Sequence, residues 1–250
     1  MQTSASDFQQ YTTICKNASE NDDVFNTFRS NPDYTNILEH VYPSLGLDYL
    51  NHAIKINSQI IDQHTIDILK KIDLHGGSTK YDFQIIGLLS PTIIRYFSIL
   101  GDINRLYGSL DNKTVIEIGA GYGGQSIMIN LYHNVKKYII VDLPDVISLI
   151  KKFLIKNNMD LTKYEFYTYD TVPETDSDYL ISNFAFSECF KEIQDVYLEK
   201  LINKSKNFYM IINLSKGTYT PDELKEKIKG PINVIPETPE SRYTNLLFYR

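Results

Sequence analysis

Tryptophan is absent from this chain of 250 residues, cysteine occurs only twice, and no long apolar run is present. The two cysteines, Cys15 and Cys189, are too few for a disulfide framework or a zinc site. No stretch approaches the ~18 apolar residues that a membrane span needs, and the first residues lack the basic and apolar regions of a signal peptide. We therefore expect a protein of the reducing cytoplasm that has no membrane partner.

Basic residues are in the minority as well: 25 Lys and Arg stand against 31 Asp and Glu, which leaves a net charge of −6. The basic residues are scattered and are not interleaved with aromatic residues, so the composition disfavours a nucleic-acid partner. No group of His, Asp and Glu residues has the spacing of a metal site, and we expect no metal. The length fits one α/β domain with a substantial appendage. The sequence does not determine the oligomeric state, and a homodimer is one alternative.

Glycine is also sparse, yet four of the twelve glycines, Gly119, Gly121, Gly123 and Gly124, fall within six residues. A β-branched apolar run at residues 114–118 precedes them, and an apolar helical pattern follows. This order predicts a strand, a tight turn and the start of a helix. Glycines suit such a turn because a ligand can lie against bare backbone, and because other residues resist the φ values that the turn requires.

Two kinds of ligand fit this turn. Gly119, Gly121 and Gly124 match the G-x-G-x-x-G fingerprint of dinucleotide-binding proteins, and the turn together with Glu117 also matches the E-x-G-x-G-x-G motif of S-adenosylmethionine-dependent methyltransferases. A carboxylate is costly at the buried strand position before a dinucleotide turn, so Glu117 favours the cationic S-adenosylmethionine. Asp142 ends the next predicted strand and suits the two ribose hydroxyls of either ligand.

Four short stretches carry a resemblance to a known family: residues 90–96, 115–125, 138–144 and 181–188. Their sequences, SPTIIRY, VIEIGAGYGGQ, YIIVDLP and ISNFAFSE, resemble those of the sugar O-methyltransferases. The resemblance implies a class I methyltransferase fold, S-adenosylmethionine as cofactor with S-adenosylhomocysteine as product, and a sugar, nucleotide-sugar or glycan as acceptor. The family's Gly-Asn-Pro upstream of Ser-Pro-Thr is replaced here by Gly-Gly-Ser at residues 76–78.

The organisation of the chain changes near residue 110. Residues 1–110 predict an N-terminal helical cap for the substrate, which begins with a loose or helical arm at residues 1–33. Ser90 and Pro91 have the sequence of a helix start. The predicted helices of the cap are residues 34–40, 58–72 and 90–107.

Residues 111–250 predict an S-adenosylmethionine-binding domain in which strands alternate with helices. Two strands without a helix between them close the chain. This order predicts an α/β, Rossmann-like and mostly parallel sheet of seven strands with an antiparallel closing strand. The predicted strands are residues 113–118, 137–142, 164–168, 177–182, 207–213, 231–235 and 244–249. The predicted helices are residues 124–132, 144–157, 188–203 and 221–229.

Ligands of such sheets bind at the carboxyl ends of the strands, so we expect cofactor contacts from the residues that follow the first four strands of the domain. The glycine turn would lie under the methionine half, Leu143 would pack on the adenine, and Asp170 would accept from its amine. An ordinary turn explains Tyr169 and Asp170 equally well. The predicted cofactor residues are Glu117, Gly119, Ala120, Gly121, Tyr122, Gly123, Gln125, Asp142, Leu143, Tyr169, Asp170 and Asn183.

Methyl transfer to a sugar hydroxyl needs a group that removes the hydroxyl proton. Glu188 is the first candidate, because it follows the fourth strand of the domain and flanking phenylalanines would raise its pKa. The alternative is that Ser187 and Glu188 cap the helix that follows. His75 is the second candidate, because it lies in a glycine loop that could reach the ligand.

Acceptor recognition is expected from the cap and from the loop between the last two strands. Arg95 and Tyr96 offer donors to a polar ligand, although Arg95 could instead pair with a carboxylate between cap and sheet. Arg242 could bind a nucleotide-sugar diphosphate, and surface solubility explains it equally well. The predicted acceptor residues are Arg95, Tyr96, Tyr122, Ser187, Glu237, Arg242 and Asn245.

Three other functions remain open at this point. The acceptor could be another small metabolite, the enzyme could be an NAD-dependent oxidoreductase, or the chain could bind a cofactor for regulation without turnover. Glu117 and the two closing strands argue against the oxidoreductase.

Overall fold

The computed structural model describes residues 9–56, 61–242 and 244–250. The strands within these ranges are β1 (Tyr81–Asp82), β2 (Leu88–Leu89), β3 (Thr114–Ile118), β4 (Lys137–Val141), β5 (Tyr164–Tyr167), β6 (Ser177–Asn183), β7 (Ser205–Ile212), β8 (Asn233–Pro236) and β9 (Leu246–Tyr249). The α-helices are α1 (Gln9–Glu20), α2 (Asp22–Phe25), α3 (Pro32–Thr35), α4 (Pro43–Ile56), α5 (Gln63–Ile72), α6 (Pro91–Tyr107), α7 (Gly124–Tyr132), α8 (Pro144–Lys156), α9 (Ala185–Glu188), α10 (Lys191–Lys200) and α11 (Pro221–Lys227).

Seven strands form the main sheet, in the order β5-β4-β3-β6-β7-β9-β8. Neighbours from β5 to β7 are parallel, and β9 is antiparallel to both β7 and β8. The fold is therefore Rossmann-like with one reversed strand, which confirms the mostly parallel seven-stranded sheet with an antiparallel closing strand predicted from the sequence. Each predicted strand of this half is present with its ends within two residues of the prediction. The parallel strands β3 and β4 were the clearest, because they are apolar runs buried along most of their length.

The order in which strands are added to the sheet reverses at β3. Strand β4 lies on one side of β3 and β6 lies on the other, so their connections leave in opposite directions. A crevice forms at the carboxyl ends of strands at such a point, and ligands of doubly wound sheets bind there. The glycine turn of residues 119–124 follows β3 directly and therefore lies in this crevice.

Helix α6 is the centre of the cap. Pro91 occupies its first turn, and every residue from Pro91 to Ile103 is buried. A helix that is buried all round lies inside the molecule rather than on its surface. It packs between α4 on one side and α7 of the sheet domain on the other, and it carries Arg95.

The remainder of the cap differs in part from the prediction. Helix α4 was not predicted, and a helix expected at residues 34–40 is the shorter α3, which Asn31 caps. Helix α5 lies within the predicted 58–72 segment, whose residues 58–60 fall outside the described part of the chain. The helix predicted at residues 188–203 is divided into α9 and α10, because Cys189 and Phe190 adopt extended backbone between them.

One apolar core joins the cap to the sheet. Tyr11, Phe28 and Ile93 of the cap belong to the same buried cluster as Tyr122 and Leu247 of the sheet domain. A second cluster lies under α10 and α11 on the other face of the sheet. The two parts of the chain on either side of the predicted boundary near residue 110 therefore share one apolar core. No helix in the described ranges is both long and apolar enough to cross a membrane.

Candidate functional site

Two neighbouring cavities lie at the carboxyl ends of the strands. The first cavity is lined by Gly119, Gly121, Asp142, Leu143, Tyr169 and Asn183 of the sheet domain, and by Tyr11, Ile37 and Leu38 of the cap. The second cavity is lined by Arg95, His40, Tyr49 and Phe184, by Asn213 after β7, and by Arg242 and Asn245 of the loop between β8 and β9. Glu188 lines both cavities, so the two cavities meet at this residue.

The glycine turn forms one wall of the first cavity. Gly119 and Gly121 have φ values of +75° and +60°, which other residues adopt at a cost. A Cβ atom on Gly119 would lie 1.9 Å from the Cβ of Ala185, and one on Gly121 would lie 2.7 Å from Leu38. The sequence predicted that a ligand lies against these glycines. In the structure the side chains of Ala185 and Leu38 lie against them instead, and Leu38 occupies the space above Gly121.

Asp142 stabilises the glycine turn through hydrogen bonds to the backbone. Its carboxylate accepts hydrogen bonds from the backbone N–H of Leu143 at 2.8 Å and of Gly121 at 3.3 Å. Burial raises the pKa of Asp142 to about 7, although these backbone hydrogen bonds lower it. The same carboxyl group lines the first cavity, so it remains available to hydroxyl groups of a ligand.

Glu117 lies in the sheet behind this wall and lines neither cavity. Its side chain is buried and accepts a hydrogen bond from the hydroxyl of Tyr138 at 2.8 Å. Burial raises the pKa of Glu117 to about 8, the Tyr138 hydrogen bond opposes this, and the charge of Asp142 adds to it. A positive charge brought near Glu117 would favour its ionised form.

Asn183 ends β6 and supplies a polar atom without a partner to the first cavity. Its Oδ1 is buried, and no hydrogen-bond donor reaches it from the described residues. Buried acceptors are usually paired, so this oxygen is suited to a donor group of a ligand. Asp170, in contrast, is exposed, accepts from the Thr168 hydroxyl and lines neither cavity.

Four predicted cofactor residues line neither cavity and instead make contacts within the protein near the glycine turn. Tyr122 is fully buried and packs against Phe153, at 4.8 Å between ring centroids, and under the Arg29 guanidinium at 4.5 Å. The prediction that Tyr122 projects over the ligand is wrong, because its ring completes the core of the cap. Gln125 is buried in α7 and donates to the Tyr96 carbonyl. Ala120 is buried, and Gly123 is the residue before α7.

Glu188 is the last residue of α9 and accepts a hydrogen bond from the Asn213 side-chain amide at 2.8 Å. The capping alternative is wrong, because α10 begins at Lys191 and no side chain caps it. Ser187, the residue before Glu188, is buried. Its hydroxyl donates to the Phe184 carbonyl at 2.7 Å and accepts from the Asn213 backbone N–H at 3.0 Å, so it supports Asn213 and lines neither cavity.

Phe184 stands beside the meeting point of the cavities with a φ of +73°. This region is strained for a bulky side chain, and residues held there cluster at functional sites. A backbone hydrogen bond from Phe184 N–H to the Ile211 carbonyl at 3.0 Å holds the turn in place. The turn places Asn183 in the first cavity and Phe184 in the second.

His75 lies away from both cavities. Its ring packs between Phe25 and Phe153, and burial lowers its pKa. The expectation that its loop reaches the ligand is wrong, because the Gly76 carbonyl and the His75 carbonyl both accept from Arg29 and tie the loop to the cap. The histidine that lines the second cavity is His40. Burial and the charges of Arg95 and Arg242 lower the pKa of His40, while Glu188 opposes them.

Arg95 is the buried cation of the second cavity. It is 5% exposed, and its guanidinium lies 5.5 Å from the ring centroid of Tyr96 and 5.9 Å from that of Phe184. Its Nε has no hydrogen-bond partner among the described residues. Tyr96 itself is buried against Tyr122 and does not line the cavity, so only the first residue of the predicted pair reaches it.

The closing loop contributes two of its three predicted residues to the second cavity. Arg242 lines it from an exposed position, and Asn245 lines it with a buried Oδ1 that has no partner in the described chain. Glu237 is buried behind them and accepts from the Tyr49 hydroxyl at 3.1 Å and the Asn245 amide at 2.9 Å. Glu237 therefore holds the loop rather than facing a ligand.

Residues 36–40 of the cap, here called the bridging loop, cover both cavities. Leu38 lies in the first and His40 in the second. Between them, Glu39 accepts from the buried Arg29 at 2.5 Å, and Arg29 also donates to Asp73 at 2.8 Å. Sequence reasoning missed these residues because nothing local shows that they fold over the sheet. Asn213 could have been found, since it directly follows β7.

Within the described ranges, no group of three His, Cys, Asp or Glu side chains is placed to hold a metal ion.

Comparison with solved structures gives distant structural likenesses. No family model matches the chain, and no curated protein matches it. Protein 1320 of Thermoplasma acidophilum is 16% identical, with 73% of this chain and 94% of that chain covered and a TM-score of 0.47. The PH0226 protein of Pyrococcus horikoshii is 12% identical, with 62% and 90% covered and a TM-score of 0.47. A SAM dependent methyltransferase from Aquifex aeolicus is 15% identical, with 59% and 86% covered and a TM-score of 0.42. Likenesses at this level carry no argument about function, which therefore depends on the site.

Proposed function

We propose that the protein is an S-adenosylmethionine-dependent methyltransferase that methylates a hydroxyl group of a sugar, either in a nucleotide-sugar or in a glycan. The observation that carries the proposal is the pair of cavities that meet at Glu188. The first has a glycine turn, the carboxyl group of Asp142 and the unpartnered oxygen of Asn183. The second cavity is lined by polar side chains and by the cations Arg95 and Arg242. The choice of a sugar depends on the resemblance of the four sequence motifs.

The residues of the first cavity fit this cofactor. Asp142 offers carboxylate oxygens to ribose hydroxyls, and Leu143 offers an apolar surface to the adenine. The Asn183 oxygen accepts from a donor such as an ammonium group. Leu38 would have to move aside for ligand atoms to pack on Gly121, since its side chain lies there.

The chemistry that this chain must supply is removal of a proton. The cofactor provides a methyl group on a positively charged sulfur, and the acceptor oxygen must lose its proton to take that methyl group. Two observations support Glu188 in this role: it lines both cavities, and its carboxylate accepts a hydrogen bond from the Asn213 amide. Cys189 lines the first cavity beside it, and Phe184 lines the second.

Another small metabolite is the second candidate acceptor. The second cavity contains Arg95, Arg242 and His40, and this arrangement suits any compact polar molecule that carries negative charge. The net charge of −6 makes a nucleic acid the less favourable substrate.

Isothermal titration with S-adenosylhomocysteine and, separately, with NAD⁺ tests the cofactor. We expect S-adenosylhomocysteine to bind the full chain with a 1:1 stoichiometry and NAD⁺ not to bind. Binding of NAD⁺ alone would make the protein a dinucleotide-binding protein and refute the proposal. A panel of nucleotide-sugars and free sugars, assayed for methylated product by mass spectrometry, then tests the acceptor.

A further inference from the structure

The cap contains two buried arginines whose surroundings differ sharply. Arg29 is 1% exposed, and its guanidinium binds the carboxylates of Glu39 and Asp73 and the hydroxyl of Ser90. Arg95 is 5% exposed, and no salt bridge or hydrogen bond to its guanidinium is formed by the residues that the structure describes. A buried charge without a partner is strongly destabilising, so an arginine kept in this state needs an explanation.

The carboxylates that act electrostatically on Arg95 are already occupied. Burial lowers the pKa of Arg95, and Tyr96, Tyr49, Glu237 and Glu39 raise it by more, so the guanidinium stays charged. Glu237 accepts hydrogen bonds from Tyr49 and from the closing loop, and Glu39 binds Arg29. The described residues therefore supply a favourable field to Arg95, and none of them forms a salt bridge with it.

The guanidinium of Arg95 lies in the wall of the second cavity, which has about 310 Å³ of open space. This size lies at the lower end of the range found for small-molecule sites. Arg242 and His40 line the same cavity, and so does the carboxylate of Glu188. Arg95 is buried there, and its Nε has no hydrogen-bond partner among the residues that the structure describes. Its planar donors match phosphate and carboxylate oxygens.

We infer that the second cavity binds an anionic group of the acceptor through Arg95, so that the acceptor is a phosphorylated sugar or a sugar acid rather than a neutral sugar. The inference rests on the proposed function for the identity of the acceptor as a sugar. The site itself follows from Arg95 and its cavity. Bound phosphate or carboxylate would supply the missing partner and would orient the remainder of the sugar towards Glu188.

The test compares three probes at matched ionic strength: glucose 1-phosphate, glucuronate and glucose. We expect one or both of the anionic probes to bind the full chain in isothermal titration and to raise its melting temperature, and glucose to do neither. The phosphate and the carboxylate probe distinguish the two anionic classes. Equal binding of glucose, or no binding of either anion, would overturn the inference.

Arg95→Met removes the charge but keeps most of the volume of the side chain. We expect this variant to bind the anionic probe at least about 10-fold more weakly, and to melt at or above the temperature of the wild-type protein, because an unpaired buried charge is removed. A matched control is Arg105→Met on the same helix, where the arginine is half-exposed and pairs with Asp102. It should keep the affinity for the anion.

A lower melting temperature for Arg95→Met with unchanged anion affinity would show that Arg95 only holds the cap, and would overturn the inference. Should Arg95→Met fail to fold, Arg95→Lys retains the charge and loses the planar fork. It is expected to bind the anion several-fold more weakly, and unchanged affinity would again refute the inference. S-adenosylhomocysteine is titrated in parallel, so a failure of the cofactor proposal is seen separately from a failure of anion binding.

Discussion

Two carboxyl groups define the chemistry around the first cavity at the level of single residues. Glu117 of β3 is buried, and Asp142, which directly follows β4, is partly buried. Asp142 faces the cavity and Glu117 lies behind it, and burial raises the pKa of both. Each carboxyl group is held by donors of the protein, the backbone N–H groups of the turn for Asp142 and the Tyr138 hydroxyl for Glu117. The two residues therefore differ in what they can offer a ligand, and each can be tested by itself.

Asp142→Ala is expected to weaken S-adenosylhomocysteine binding by roughly 10–100-fold, because hydrogen bonds to a charged group contribute about 1.5–3 kcal/mol. Isothermal titration measures this loss, and circular dichroism checks that the variant is folded. Asp170→Ala is the matched control, since Asp170 is exposed and lies outside the first cavity. Wild-type affinity in Asp142→Ala would refute the assignment of Asp142 to the ribose.

The raised pKa of Glu117 predicts how stability depends on pH. The folded-state pKa of about 8 lies above the ordinary value of 4.5, so the folded protein binds more protons than the unfolded chain between these values. The contribution of Glu117 is thus most favourable below its unfolded pKa and is lost as pH rises through about 8. Asp142 contributes with the same sign. The melting temperature of Glu117→Gln should therefore fall less steeply than that of the wild type between about pH 5 and about pH 9. Parallel curves for the two proteins would contradict this.

Glu188→Gln keeps the shape of the side chain but removes its ability to accept a proton. With an acceptor identified, we expect kcat to fall by about 10²–10⁴-fold while the affinity for S-adenosylhomocysteine stays close to wild type. His75→Ala serves as a control, because His75 lines neither cavity and should leave kcat nearly unchanged. If Glu188→Gln turned over normally but melted early, its hydrogen bond with Asn213 would be structural only.

At the level of elements, the bridging loop decides how open the first cavity is. It is short, and the Glu39–Arg29 ion pair fixes it to the buried part of the cap. Leu38 lies against Gly121, where the proposed cofactor would pack. Cofactor binding would therefore require Leu38 to leave a partly buried position.

Leu38→Ala should consequently tighten S-adenosylhomocysteine binding by a few-fold and speed association, since less apolar surface has to be displaced. Stopped-flow binding and titration give both quantities. Leu45→Ala, which truncates a side chain of the second cavity, is the comparison. Weaker binding in Leu38→Ala would instead mean that Leu38 packs against the bound ligand.

For the whole molecule, the shared core predicts that cap and sheet unfold together. Tyr11, Phe28 and Ile93 are buried in one cluster with Tyr122 and Leu247, so neither half can keep that surface buried without the other. We expect urea unfolding curves from far-ultraviolet circular dichroism and from tyrosine fluorescence to coincide. Residues 111–250 expressed without the cap should show no cooperative transition. Two separate transitions in the full chain would mean that the halves are independent domains.

The sheet and the position of the glycine turn were predictable from the sequence alone. Strands of a parallel sheet appear as short apolar runs such as residues 114–118 and 137–141, and helices as longer periodic ones, because these patterns depend on neighbours along the chain. The rule that ligands bind at the carboxyl ends of strands then placed Asp142, Asn183 and Glu188 beside one cleft. These predictions required no knowledge of which distant residues touch.

The side chains that complete the two cavities were decided only by the tertiary structure. The side chain of Tyr122 lies in the core, because the cap offers it a buried space between Phe153 and Arg29. His40 lines the second cavity and His75 does not, because the cap folds residues 36–40 over the sheet. Contacts of this kind join residues far apart in sequence, and they are set by how two apolar surfaces fit together. The local pattern of polar and apolar residues fixes which surfaces are buried, and only their packing determines which polar groups meet.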